Sequence, residues 1–221
     1  MAYNRRPTNK PSINKPRTAP KLTEMKLGLD LINISYDDAK ARLIEIIKAK
    51  SLFEGDSILP SGCITSHYLD MKESLLGAEG SFMASIAMLH ILKDEVQFIG
   101  GLFDKTYSLA ATISQLALLR GQRIDTFFVR DGHDARRKGY SKWIEGPLRP
   151  ASKVCLIQDE IVDGVKMIEA IRRVQDEADS EIVQVISVVD RLDGGAQRLH
   201  EYGVDYTSII TMNDIVPPVY Y

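Results

Sequence analysis

The chain has 221 residues, 44% of them hydrophobic, and a formal net charge of −2, enough to bury about 70% of its unfolded surface around one core without a metal or disulfide. Its two cysteines, Cys63 and Cys155, form neither a CxxC pair nor a disulfide framework, no apolar run is long enough to span a membrane, and the N-terminus lacks the apolar core of a signal peptide, so a cytoplasmic chain without membrane contact is expected. The charge is uneven: residues 1–21 carry Arg5, Arg6, Lys10, Lys15, Arg17 and Lys21 and no acid, and removing these six positive charges leaves the remainder at −8. Pro7, Pro11, Pro16 and Pro20 stop helix or ladder from persisting in that stretch. Residues 1–21 therefore read as a disordered basic arm ahead of one domain over 22–221. Such an arm is either a solvated tail or a contact for nucleic acid or an acidic partner; with Tyr3 as its lone aromatic it does not stack on bases.

In chain order, Thr23 caps a short helix that reaches residue 31. Residues 37–50 place Ala39, Leu43, Ile46 and Ile47 on one helical face. Residues 57–72 combine a Pro-Ser-Gly turn with alternating residues, the pattern of a hairpin. A long apolar helix is predicted over 73–93 and a buried strand over 96–99, leading into Gly100-Gly101, a pair that lets backbone approach a ligand closely. Helix 106–120 and strand 124–129 follow. Residues 130–146 then interrupt the alternation with five Lys/Arg, three acids and the single tryptophan, Trp143; so polar a segment inside a domain reads as a functional loop or lid.

The stretch 154–166 organises the rest. Val154, Cys155, Leu156 and Ile157 are the apolar run of a strand covered on both faces. The acids Asp159 and Glu160 follow, and after Asp163 and Gly164 the apolar residues Val165, Ile168, Ile171 and Val174 recur at helical spacing. A strand, a tight turn and a helix N-terminus in succession form an anion-attracting unit at the carboxyl end of a sheet strand. Strand 182–189, the segment 190–195, a short helix over 196–202 and a last strand over 206–211 complete an α/β chain with a parallel central sheet flanked by helices. There is no GxGxxG, P-loop or HExxH motif.

With these pieces in order, the chain resembles the orotate phosphoribosyltransferases, of type I phosphoribosyltransferase fold, from residue 37 to residue 215. Leu59-Pro60-Ser61-Gly62 through Tyr68-Leu69-Asp70 looks like the family's N-terminal hood hairpin, Ile99-Gly100-Gly101-Leu102 like its pyrophosphate-side loop, and Phe128-Val129-Arg130 with Trp143-Ile144-Glu145-Gly146-Pro147 like the two ends of its catalytic loop. Val189-Asp190-Arg191 looks like the strand end that meets the base. In that family two acids end the central strand and hold ribose hydroxyls, and a Thr-x-Gly-Thr loop cradles the 5′-phosphate of phosphoribosyl pyrophosphate. Here the first of those two positions holds Gln158, an amide, and the second Asp159, and the loop reads Val162-Asp163-Gly164-Val165-Lys166.

The resemblance implies Asp159, Arg136 and Lys138 as catalytic residues, Arg136 standing where the family places a lysine on the departing pyrophosphate. It implies Gln158, Asp163, Gly164, Val165, Lys166, Gly100, Gly101, Lys105, Arg130 and Arg191 as substrate contacts, with Asp159 touching a donor-bound Mg²⁺ if the chain is active. It also implies a homodimer. Lys105-Thr106-Tyr107-Ser108 replaces the family's Gly-x-x-Pro, and both hydroxyls of the phosphate loop are absent. The expectation is a member of this family whose transfer of phosphoribose to a nitrogen base is lost or strongly altered, leaving a binding, regulatory or structural role. The alternative is an active Mg²⁺-dependent transferase acting on orotate or a related base. A third reading, an uncharged sugar donor, would account for Asp163.

Overall fold

A computed structural model describes residues 33–58, 64–130 and 143–218. Helix α1, Tyr36–Lys50, opens on Ser35, whose side chain accepts the Asp38 amide, with Asp37 and Asp38 in the first turn and Lys48 and Lys50 in the last, the polarity that complements a helix dipole. Strands β1, Leu52–Ile58, and β2, Ile64–Leu69, then pair antiparallel. The hairpin thus begins five residues before the predicted 57–72, because Leu52 and Phe53 pair with Leu69 and Tyr68. Its tip at 59–63, with Cys63, lies outside the described residues.

The predicted single helix over 73–93 is two helices, α2, Met71–Leu75, and α3, Ala78–Ile91. The break has a local cause. Gly77 is extended, at φ −75 and ψ 141, and Gly80 lies against α2 so closely that a Cβ there would stand 2.2 Å from the Ser74 carbonyl oxygen. Ser74 is fully buried, and its hydroxyl meets that of Ser51 at 2.6 Å, so a polar pair inside the core fixes where the chain turns. α3 is buried on nearly every side and carries no amphipathic period to mark its start.

Strand β3, Phe98–Leu102, leads into α4, Phe103–Leu119; then come β4, Asp125–Val129, the short β5, Ile144–Glu145, and β6, Lys153–Ile161. α5, Val165–Ala178, β7, Glu181–Asp190, α6, Gly195–Glu201, β8, Tyr206–Thr211, and α7, Met212–Ile215, finish the chain. The sheet order is β5-β4-β3-β6-β7-β8. All neighbours are parallel except the edge pair, where Phe128 and Val129 face Glu145 and Ile144 antiparallel. The alternation of β6 decides the layers: Cys155 and Ile157 join the core under α1, α3 and α4, and Val154 and Leu156 join the core under α5 and α6. All four are fully buried, each large apolar one contributing about 1.5–3 kcal/mol. This is the α/β architecture expected, with β1 and β2 as the small hairpin beside it. No helix among the described residues is long and apolar enough to cross a membrane.

Candidate functional site

β6 runs four residues beyond its apolar core, through Gln158, Asp159, Glu160 and Ile161, so the acids predicted to follow the strand are part of it. Its ladder to β7 continues through Glu160↔Val189 and Ile161↔Asp190. The chain then turns through 162–164 into α5. Gly164 has φ +75, left-handed backbone that other residues enter at a cost. A Cβ on it would also lie 3.1 Å from the Gly195 carbonyl oxygen, so the turn is seated on the start of α6.

This turn carries the predicted anion site, and Asp163 is already engaged in it. Asp163 Oδ1 accepts the amide of Val165, the first residue of α5, at 3.1 Å. The Asp163 carbonyl accepts from Arg198 Nη1 at 2.7 Å. Asp163, Val165 and Lys166 are exposed. The helix end therefore holds a carboxylate supplied by the chain, where its dipole favours negative charge.

Gln158 and Asp159 are buried, at 8% and 4% exposure. Asp159 Oδ1 accepts the Glu160 amide at 2.9 Å, whereas Gln158 Oε1 is buried without a hydrogen-bond partner among the described residues. An acceptor in that state costs stability unless a donor reaches it. Asp159 also lines a cleft of about 350 Å³ with Met71, Lys72, Leu75, Leu76, Tyr107 and Ser108. Tyr107 stacks on Phe128, ring centroids 4.5 Å apart and planes at 20°, and gives this cleft an aromatic wall. A larger cleft, about 410 Å³, is bordered by Gln97, Arg123, Asp125, Arg149 and Ser152 at the amino ends of the strands. Ligand crevices in parallel sheets form at the carboxyl ends, which selects the smaller one.

Arg191, predicted to meet the base, stands at the end of β7. Its Nη1 lies 3.3 Å from Glu160 Oε2 and its Nη2 donates to the His67 carbonyl at 3.3 Å. It thus joins β6, β7 and the hairpin. The neighbouring Asp190 does not pair with it through Oδ1, which instead accepts the Leu192 amide at 2.8 Å.

Gly100 and Gly101 lie inside β3 rather than after it, and protein neighbours account for both. A Cβ on Gly100 would stand 2.4 Å from the Phe127 carbonyl oxygen, and one on Gly101 2.3 Å from that of Ile157. Lys105 falls in the first turn of α4. Arg136 and Lys138 lie outside the described residues, as does the rest of 131–142. The two roots of that segment are described. Arg130 donates its amide to the Trp143 carbonyl at 2.7 Å and forms an ion pair with Glu145.

Sequence reading missed what holds these roots. From α5, Arg173 donates to the Arg130 carbonyl at 2.6 Å and lies 4.1 Å over the Trp143 ring, while Glu177 accepts the Trp143 amide at 2.7 Å and the Ile144 amide at 3.3 Å. Arg173 and Glu177 stand four apart in sequence, one helical turn, the only signal that could have linked them. Glu160 was seen as half of an acidic pair with Asp159, but adjacent strand residues point to opposite faces.

No protein-family model matches the chain. It is 31% identical over 191 residues to an orotate phosphoribosyltransferase of Rhodopseudomonas palustris strain BisB5, covering 83% of this chain and 99% of the relative. An orotate phosphoribosyltransferase of Streptomyces avermitilis is 30% identical over 172 residues, 77% of this chain and 93% of its own. The crystal structure of Mycobacterium tuberculosis orotate phosphoribosyltransferase is similar with a TM-score of 0.70 at 28% identity, over 80% of this chain and 99% of that one. A shared parallel sheet, a strand-turn-helix anion unit at its centre and this identity along nearly the whole of the relatives lead to one conclusion: the chain belongs to the orotate phosphoribosyltransferase family.

Proposed function

We propose that this family member holds a ligand in the cleft at the carboxyl ends of its strands without transferring phosphoribose from phosphoribosyl pyrophosphate to orotate. One observation carries the reading: the carboxylate of Asp163 occupies the amide of Val165, at 3.1 Å, on which a 5′-phosphate would rest. Two anions on one helix end repel, and the amide can serve only one of them well. Replacement of the first strand-end acid by Gln158 supports the same reading, since an amide oxygen accepts a hydroxyl but brings no charge to a cationic sugar.

The donor set bears on Mg²⁺ as well. Among the described residues no group of three His, Cys, Asp or Glu side chains could hold a metal. Asp159 alone fits an ion that arrives on a diphosphate and keeps its phosphate and water ligands. Such an ion, when bound, neutralises charge on the leaving pyrophosphate.

A second reading, an active transferase on orotate or a related base, is favoured by Asp159 itself, a carboxylate 4% exposed at the end of the central strand. Calorimetry with phosphoribosyl pyrophosphate and Mg²⁺ separates the two. No binding at millimolar donor is expected; micromolar binding with pyrophosphate release on adding orotate overturns the proposal. We further place the chain in the cytoplasm as a homodimer, with the basic arm at 1–21 contacting nucleic acid or an acidic protein. Sedimentation at micromolar concentration and a mobility shift abolished by deleting the arm test the last two statements.

A further inference from the structure

The larger cleft, at the amino ends of β3, β4 and β6, gathers polar groups that the chain itself leaves unpaired. Arg123 and Arg149 against Asp125 give its walls a net single positive charge, although the chain beyond the arm stands at −8. Arg123 lies 3.5 Å from Asp125 with its side chain 80% exposed, so that pair is loose. The exposed side chain of Arg149 has no partner among the described residues. Ser152 is 5% exposed, and its hydroxyl makes no hydrogen bond among those residues either; a hydroxyl so deeply placed calls for a partner from outside the chain. Gln97 Oε1 accepts the Lys153 amide at 3.1 Å, which orients that side chain and leaves its Nε2 as a donor.

The backbone that carries these groups is fixed in advance. Ala151 has φ +58, left-handed backbone that a residue with a Cβ enters at a cost. Its amide donates to the Asp179 carbonyl at 2.8 Å, and the Ser152 carbonyl accepts the Glu181 amide at 2.9 Å. The Ser180 hydroxyl donates to the Arg149 carbonyl at 3.0 Å. Arg149 and Ser152 therefore stand on a loop strapped to the α5–β7 corner, which lowers the ordering cost of binding a ligand there. Helices α4 and α5 also end on this side, and free carbonyls at a helix end repel anions. Here they have donors: Ala117 and Leu118 accept the amides of Gln122 and Gly121, and Ala178 accepts the Ser180 hydroxyl.

We propose that this cleft is a second ligand site and that it takes a sugar phosphomonoester, the phosphate on Arg149 and Ser152 and a sugar hydroxyl on Asp125. A guanidinium fork matches phosphate oxygens. Asp125 would repel a bare anion but accepts hydroxyl donors, so the walls select an anion that carries hydroxyls. The volume, about 410 Å³, suits a small metabolite. The proposal does not depend on what the cleft at the carboxyl ends does.

The experiment is calorimetry on the full chain with ribose 5-phosphate and, separately, with ribose and with inorganic phosphate. The ester is expected to bind, and each of its parts to bind at least roughly tenfold more weakly. Arg149→Gln is expected to weaken the ester roughly 10- to 100-fold, the range for one charge-assisted pair, and Ser152→Ala about fivefold. The exposed Arg149 side chain has no internal contact to lose, so the melting temperature of Arg149→Gln is expected to match the wild-type value. Lys166→Gln, at the turn before α5 on the other side of the sheet, is expected to leave the affinity within about twofold. Four results overturn the inference: no binding of the ester at millimolar concentration, inorganic phosphate bound as tightly as the ester, an unchanged affinity in Arg149→Gln, or a loss in Lys166→Gln. The last would seat the ester at the turn and count against the proposed function as well, whereas the first three leave that reading untouched, so the two failures are told apart.

Discussion

Replacing Asp163 with threonine removes the charge beside the helix end and supplies a neutral hydroxyl in its place. A phosphate oxygen accepting the Val165 amide would stand where Asp163 Oδ1 now stands, 3.1 Å from that nitrogen, so the two anions would share the turn at roughly 5 Å. At that separation the repulsion is about 3 kcal/mol per unit charge for an effective dielectric near 20 and about 1 kcal/mol in bulk water. Asp163 is exposed, so screening favours the lower half of that range, and the new hydroxyl adds about 1 kcal/mol. The sum, about 2–3 kcal/mol, is a gain of roughly 30- to 150-fold in phosphoribosyl pyrophosphate affinity. The cost is the carboxylate at the positive end of α5, about 0.3–1 kcal/mol of stability. Calorimetry at low and high salt is the assay. Asp163→Asn, which loses the charge without gaining a hydroxyl, is expected to recover part of the effect, and the gain is expected to shrink as salt rises. If both variants bind donor no better than the wild-type chain, repulsion at this turn is not what limits it.

Three further expectations follow from the geometry. Arg173→Ala removes the hydrogen bond to the Arg130 carbonyl and the cation over Trp143, and is expected to cost about 1–2 kcal/mol in chemical denaturation with a red shift in emission from the single tryptophan; an unshifted spectrum would refute it. Burial pushes the Cys155 thiol up, and because the residue is fully buried, peptide mapping after iodoacetamide treatment of the folded chain at pH 8 is expected to find it unalkylated. Deleting residues 1–21 is expected to leave the melting temperature unchanged, and a large drop would show that the arm packs on the domain.

Most of the fold was legible because its signal is local and repeated. The apolar run 154–157, the helical spacing after Gly164 and the last strand at 206–211 each recur as elements of the same kind, and β8 matches its prediction residue for residue. The misplacements have tertiary causes. The break between α2 and α3 depends on Gly80 meeting Ser74 and on the buried Ser51–Ser74 pair, contacts between residues that sequence distance conceals. Gly100 and Gly101 continue β3 rather than following it, with the backbone of Phe127 and Ile157 lying where a Cβ would stand. In the site, the turn at 163–164 was legible because strand, glycine and helix follow one another directly. The Glu160–Arg191 pair, 31 residues apart, and the hold of Arg173 and Glu177 on residues 130, 143 and 144 exist only once β6, β7 and α5 are packed.

The departures of this chain from the phosphoribosyl motif are physically coupled to their surroundings, and that coupling separates two kinds of change. A helix end without hydroxyl partners exposes amides that need an acceptor, and Asp163 provides one. A buried guanidinium without a ligand carboxylate would be an uncompensated charge, and Glu160 compensates it. In both places the chain supplies its own carboxylate. Gln158 is different: its carbonyl oxygen is buried and has no donor among the described residues. A site that had become purely structural would gain stability by replacing that amide with an apolar side chain of similar volume. The helix end is closed from within by Asp163, whereas the buried Gln158 Oε1 has no donor among the described residues, so of these side chains Gln158 is the one whose retention internal pairing does not explain.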